Sequence, residues 1–246
     1  MGGARGWRLI KFSIFSLQLS NEYKALTTIK TKSIKLKRYS TVNMNHPEDL
    51  LIIFTRNPEL GKCKTRLAAT VGNEIALNIY KFLLDHTKNI TKDLKIGKWV
   101  FYSDNIWEND IWDNSIYEKK VQSGNDLGER MSNAFIEGFN AGHEKIIIIG
   151  SDMYDLNENE LLEAFHLLDH HDYVIGPAID GGYYLMGMKA LNPALFKNKT
   201  WGTNNVLEAT IQDLKGKNYG LLAPKNDIDY FEDIKDIEIF RTFLKN

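Results

Sequence analysis

The chain has 246 residues, 43% of them hydrophobic and 26% charged, with a formal net charge of −1; that is enough for one α/β core and is the composition of a globular chain. Residues 1–43 hold nine cations against one acid, Glu22, a net +8 that leaves −9 on the remainder, and so acidic a remainder excludes a nucleic-acid surface. No stretch approaches the roughly 18 apolar residues of a membrane span, and the single cysteine, Cys63, excludes an intrachain disulfide and suits a reducing compartment.

Residues 1–43 are basic, Ser/Thr-containing and without hydrophobic period. They read as a disordered extension. It is either an organelle-type transit segment or upstream sequence ahead of a true start at Met44, the reading favoured because the first strand begins six residues later. A single domain is expected over 44–246, cytoplasmic, or organellar if the transit segment is genuine. Leu50-Leu51-Ile52-Ile53-Phe54 is then a buried strand, broken at Asn57-Pro58. Gly61 frees the backbone for a tight loop, and a helix follows through Leu67 and Ala68. The loop carries Arg56, Lys62, Lys64 and Arg66 against one acid, Glu59. It can cradle an anion or be a solvated basic turn. It is not a Walker A loop, since the first glycine and the closing Gly-Lys-Ser/Thr are missing. The surrounding cations are expected to lower the pKa of Cys63.

Asn73 can cap a helix with Ile75, Ile79, Phe82 and Leu83 on one stripe. Lys98–Tyr102 reads as a strand, followed by a Trp- and Asn-rich loop and a short strand at Lys120–Gln122. Asn125 or Asp126 begins a helix whose apolar face is Leu127, Met131, Ala134, Phe135, Gly138 and Phe139. The four isoleucines Ile146–Ile149 form the clearest buried strand and deliver Gly150-Ser151-Asp152 to its carboxyl end. Asn157 and Glu160 form a capping box for a helix burying Leu161, Ala164, Phe165 and Leu168. Tyr173–Ile175 is a strand stopped at Gly176-Pro177, and the Asp180-Gly181-Gly182 turn leads into an antiparallel strand over Tyr183–Met186. A helix over Thr203–Leu214, a strand at Gly220–Leu222 and a terminal helix carrying Ile234, Ile237, Phe240 and Leu244 complete the chain. Strands alternating with helices predict a mostly parallel sheet with helices on both faces.

Ligands of such sheets sit beyond the carboxyl ends of the strands. That rule collects the basic loop, Gln122 to Arg130, Asp152, the Asp180 turn and Asp227-Ile228-Asp229. Cations beside isolated carboxylates point to a polyphosphate with a divalent metal, since Mg²⁺ takes one or two carboxylates and fills its shell with water and phosphate oxygens. Asp152 is the best metal candidate; Asp227 and Asp229 are as readily explained as N-caps. Gln122 could meet a base edge or belong to a plain loop, and Trp201 could be a packed core residue. His170-His171 reads as a solvated turn, and no His-dependent triad can be built.

Five segments occur together and in order: Phe54–Leu67, Gly124–Met131, Gly150–Asp152, Gly176–Leu185 and Asp227–Asp229. As a set they resemble the DUF2064 family, glycosyltransferase-like proteins of the Rossmann-like type-A, nucleotide-diphospho-sugar transferase fold, over roughly Leu50 to Phe243. The resemblance implies a transferase that uses a nucleotide sugar or NTP with Mg²⁺ or Mn²⁺ and an unknown small-molecule acceptor. Glycosyl transfer comes first, with nucleotidyl transfer releasing pyrophosphate or a non-catalytic binding module as alternatives. It places Arg56, Gly61, Lys64, Arg66, Gln122, Gly128 and Arg130 on the nucleotide, with Asp152, Lys64 and Arg66 in catalysis. Asp180, Gly181, Gly182 and Trp201 fall on the acceptor side, and Asp152 and Asp229 on the metal, with Asp227 a further candidate. Two departures bear on the acceptor side: the usual Asp-Cys-Pro is Asp152-Met153-Tyr154, and Asp-Ile-Asp is followed by Tyr230 instead of Thr.

Overall fold

The computed structural model describes residues 46–245, and the readings made of residues 1–43 lie outside them. Seven strands form one sheet: β1 (His46–Thr55), β2 (Ile96–Tyr102), β3 (Glu118–Val121), β4 (Lys145–Gly150), β5 (Tyr173–Pro177), β6 (Tyr183–Met188) and β7 (Tyr219–Leu221). Their order is β3-β2-β1-β4-β6-β5-β7. Strand β6 runs antiparallel to both neighbours and every other pairing is parallel. The Asp180-Gly181-Gly182 turn joins β5 to β6, which is why the direction reverses there.

Among the described residues there are five α-helices, α1 (Thr65–Val71), α2 (Asn73–Thr91), α3 (Leu127–Asn140), α4 (Glu158–His170) and α5 (Val206–Asp213); the last four pack on the sheet, and α1 packs on α2 and the C-terminal turns. Successive strand residues point to opposite faces. Leu51, Ile53, Ile147 and Ile149 pack with Tyr80 and Leu84 of α2 and with Leu161, Phe165 and Leu168 of α4. Leu50, Ile52, Ile146 and Ile148 pack with Met131, Ala134 and Phe135 of α3. Both faces being covered, β1 and β4 need apolar residues at every position, and their unbroken Leu/Ile runs follow from that. The chain steps outward from β1 to β2 and β3, then returns to β4 on the other side of β1. The strand order therefore switches between β1 and β4, where an open α/β sheet leaves a crevice for ligands.

Four local expectations change. Asn73 is the first helical residue of α2, with Gly72 at the cap position in an extended, positive-φ conformation, φ 87° and ψ 158°. Leu127 is 43% exposed, because at the first turn of α3 it lies beyond the edge of the core. Helix α5 begins at Val206, since Thr203 turns its hydroxyl back onto the Thr200 carbonyl. The terminal helix is replaced by two 3₁₀ turns, Phe231–Asp233 and Glu238–Thr242. Asp233 receives the backbone N–H groups of Asp229 and Tyr230, a side-chain substitute for helical hydrogen bonds. Ile234 and Phe240 still bury themselves, against Leu67, Ala76, Ile79 and Leu83. The Trp-rich loop before β3 is pinned by Lys119, whose ammonium meets Asp110 and the Trp107 carbonyl, both at 2.8 Å. Among the described residues no helix is long and apolar enough to cross a membrane.

Candidate active site

The carboxyl ends of β1 and β4 open onto a paired set of cations and carboxylates. Lys64, immediately before α1, adopts a left-handed conformation (φ 49°) that folds its side chain back toward the sheet. Only 6% of that side chain is exposed. Its ammonium donates to Asp152 Oδ2 at 2.8 Å and lies 3.8 Å from Asp229 Oδ1, so two carboxylates 77 positions apart in the chain face each other across one ammonium. Arg66 donates to the other oxygen of Asp229 at 2.6 Å, and its guanidinium lies 5.5 Å from the centre of the Tyr230 ring. Burial alone would lower the Lys64 pKa, but the charges of Asp152, Asp229 and Asp227 and the Asp152 hydrogen bond together raise it. The lysine is therefore a permanent cation here.

Asp152 reaches this position because β4 ends in glycine: a Cβ on Gly150 would come within 2.8 Å of Asp152 Oδ1. Neither Asp152 nor Asp229 is a helix cap. Asn157 caps α4 through a complete capping box with Glu160, and Tyr230 precedes the first 3₁₀ turn. Asp227 is pushed up to about 6, first by burial and then by the charges of Asp152 and Asp180, against the opposing pull of Lys64. Three carboxylates thus repel one another at the end of the sheet, Asp152, Asp180 and Asp227.

The remaining candidates fall into neighbouring groups. Gln122 spends its amide on the sheet, donating Nε2 to the carbonyls of Phe101 (3.0 Å) and Thr55 (3.3 Å). Arg130 Nε meets the Gly124 carbonyl at 3.2 Å. Gly128 is a packing position: a Cβ there would lie 2.5 Å from the Trp201 ring, so Trp201 rests on the first turn of α3. Gly181 (φ +93°) stacks on the segment before α5, where a Cβ would lie 2.2 Å from the Asn204 carbonyl oxygen. Asp180 closes its own turn by accepting the Gly182 N–H at 2.9 Å. Gly61 turns the basic loop at φ +75°. The Arg56 side chain is exposed and makes no hydrogen bond or ion pair among the described residues, while Lys62 pairs with Glu59 at 2.6 Å on the surface. Cys63 departs from expectation: it is buried, and burial raises its pKa against the lowering effect of Lys64 and Arg56. It is a protonated core thiol.

Sequence reasoning missed Tyr80, Ser151, Thr55 and Asn57, which are buried beneath the site. Tyr80 carried a usable signal, a phenol inside an otherwise wholly apolar helix stripe; the other three carried none without the fold.

Seen as a donor set, Asp152 and Asp229 fit a divalent ion. Both are partly exposed, both face one cation, and two carboxylates are what Mg²⁺ characteristically takes from protein. Among the described residues no three His, Cys, Asp or Glu side chains converge for ligation, so the rest of the shell would come from water and substrate.

The sequence model of the DUF2064 family, described as an uncharacterized protein conserved in bacteria, matches residues 88–203. A candidate nucleotide-diphospho-sugar transferase from Desulfovibrio desulfuricans G20 is 30% identical and superposes with a TM-score of 0.69, over 74% of this chain and 83% of that one. The 2-phospho-L-lactate guanylyltransferase of Methanocaldococcus vulcanius is 25% identical over 195 residues, 77% of this chain and 84% of that protein. The 4-diphosphocytidyl-2C-methyl-D-erythritol synthase of Anaerococcus prevotii DSM 20548 shares the fold at 11% identity, with a TM-score of 0.52 over 84% of this chain and all of that one. Fold and relatives together define the class: a transferase built on the nucleotide-diphospho-sugar transferase fold. Within it, the chain belongs to the DUF2064 family.

Proposed function

We propose that the chain is a divalent-metal-dependent nucleotidyltransferase, joining a nucleoside monophosphate from an NTP to a small hydroxyl- or phosphate-bearing acceptor. The observation that carries this reading is the convergence of Asp152 and Asp229 on one buried ammonium inside a loop rich in cations. Four cations within the eleven residues Arg56–Arg66 suit the dense charge of a triphosphate. The guanylyltransferase relative, aligned over most of its length, supports the same choice. Glycosyl transfer from a nucleotide sugar is the second reading, favoured by the Desulfovibrio relative and by the family resemblance.

In either case the difficult species is a departing phosphate anion. Mg²⁺ or Mn²⁺ held by Asp152 and Asp229 would supply positive charge there. Arg56, Lys64 and Arg66 would bind and orient the phosphates, and such fixed cations stabilise developing charge without reorganising. The Asp180-Gly181-Gly182 turn, Trp201 and Tyr230 would wall the acceptor side. Gln122, its amide already given to two strand ends, would act on the base through the loop it holds.

Product analysis tests this. The protein is incubated with Mg²⁺, each NTP or sugar nucleotide, and a panel of small acceptors. Metal-dependent pyrophosphate release supports nucleotidyl transfer, and a released nucleoside diphosphate supports the glycosyl reading. Nucleotide binding without any turnover across the panel would count against both and leave a binding module.

A further inference from the structure

The end of β1 is held by side chains that lie outside the catalytic set proposed above. Tyr80 of α2 is buried, and its phenol oxygen lies 3.2 Å from Thr55 Oγ1 and 3.2 Å from Ser151 Oγ. Ser151 and Thr55 are themselves 3.3 Å apart, which closes a ring of three hydroxyls beneath the site. The same phenol accepts the Arg56 N–H at 2.9 Å and donates to the Arg56 carbonyl at 3.2 Å. Burial raises the phenol's pKa, so it stays a neutral donor and acceptor. On the other side of Arg56, the buried Asn57 donates Nδ2 to the Asn105 carbonyl at 2.8 Å and accepts the Asp104 N–H at 3.2 Å. Both peptide groups of Arg56 are therefore anchored, while its guanidinium stands exposed and without a partner among the described residues.

An anchored backbone carrying an unpaired cation is a preorganised anion contact, because the ordering cost is met on folding instead of on binding. We infer that Tyr80 is a positioning residue: it fixes Arg56 against the turn that carries Asp152, so that cation and carboxylate keep one spacing. The inference rests on the proposed reading of Arg56 and Asp152 as contacts of the phosphates and the metal. Removing the phenol oxygen leaves the ring to fill the core but takes the acceptor from the Arg56 N–H, while Ser151 keeps its contact with Thr55 and the Arg56 carbonyl keeps the Thr55 hydroxyl.

The test is a thermodynamic cycle on the full chain, with Mg²⁺–GTP and Mg²⁺–CTP as titrants in calorimetry. Tyr80→Phe should weaken binding about five- to tenfold, the worth of one net hydrogen bond. The double variant with Arg56→Ala should bind no more weakly than Arg56→Ala alone, because Tyr80 would act only through Arg56. A merely structural Tyr80 would instead carry its full penalty into the Arg56→Ala background, and that result overturns the inference. Should Tyr80→Phe fail to fold, Ser151→Ala removes the phenol's anchor just past the end of β4 and takes its place in the same cycle. Amide hydrogen exchange in the ligand-free chain separates the two levels of the argument. Tyr80→Phe should speed exchange at Arg56 about tenfold while leaving Ile53 unchanged, since only the former amide loses its acceptor. Faster exchange in a protein whose wild type binds neither nucleotide keeps the anchoring and overturns the nucleotide reading. Unchanged exchange at Arg56 overturns the anchoring itself.

Discussion

Replacing Lys64 by methionine should move metal affinity and nucleotide affinity in opposite directions. In the ligand-free chain the Lys64 ammonium sits between Asp152 and Asp229, at 2.8 and 3.8 Å, with only 6% of its side chain exposed. Methionine keeps the length of the stem and removes the charge. The loss of one charge-assisted hydrogen bond is partly offset by not having to bury an ammonium. Asp229 keeps Arg66, and Asp152 is about a third exposed. The net destabilisation should be about 1–2 kcal/mol, a fall in Tm of about 2–8 °C for a chain of this size. Two facing carboxylates without their ammonium then form an open anionic site. Mn²⁺ alone should bind the variant more tightly than wild type, where it must displace the lysine. At 100 times its Kd the ion contributes about 2.7 kcal/mol, enough to reverse the loss. Differential scanning fluorimetry with and without Mn²⁺, followed by Mn²⁺ titration calorimetry, reads both quantities. Equal Tm increments in variant and wild type would show that the carboxylates do not hold the metal. Mg²⁺–nucleotide binding should weaken at the same time, because the phosphates lose their most buried cation.

Arg66→Ala should leave stability within about 0.5 kcal/mol, since Arg66 is 54% exposed. It should weaken Mg²⁺–nucleotide binding by about 1.5–3 kcal/mol in calorimetry, and unchanged binding would reduce the basic loop to a solvated face. Asp227→Asn should stabilise the metal-free chain by about 1 kcal/mol at pH 8 once solvent screening is allowed for, and by nothing below pH 4. The sign follows from a folded pKa raised to about 6: the native state prefers the protonated acid, so the wild type loses stability as pH rises from about 4 through 6, and urea melts across that window read the loss. Gly181→Ala should cost about 2–3 kcal/mol in urea unfolding, because a Cβ would lie 2.2 Å from the Asn204 backbone oxygen at φ +93°.

Much of the architecture was legible because burial on both faces forces continuous apolar strands: Leu50–Phe54 and Ile146–Ile149 could be little else. The antiparallel β6 was legible from the Asp180-Gly181-Gly182 turn, too short for a crossover helix. The terminal helix was misread because Ile234 and Phe240 are buried, and Ile237 partly so, as a helix stripe would bury them, while Asp233 takes the hydrogen bonds that a helix needs. At the site, Asp152, Asp229, Lys64 and Arg66 could be grouped by the rule that ligands gather at strand ends, and the structure brings them within 4 Å of a partner. The rule could not say that Lys64 would occupy the space between the carboxylates, which depends on its left-handed backbone. Nor could it foresee that burial would outweigh nearby cations at Cys63, or that Gly128 would lie under Trp201. These depend on which surfaces meet, and sequence spacing carries no record of that.

The central claim, one divalent ion shared by Asp152 and Asp229 beside nucleotide phosphates, is tested most directly by anomalous diffraction from crystals grown with Mn²⁺ and an NTP. The account predicts a single manganese peak bridging the two carboxylates at about 2.1 Å from an oxygen of each, with Lys64 Nζ withdrawn from between them and turned onto the phosphates. A nucleotide bound with the Lys64–Asp152 pair intact and no peak between the carboxylates would contradict it.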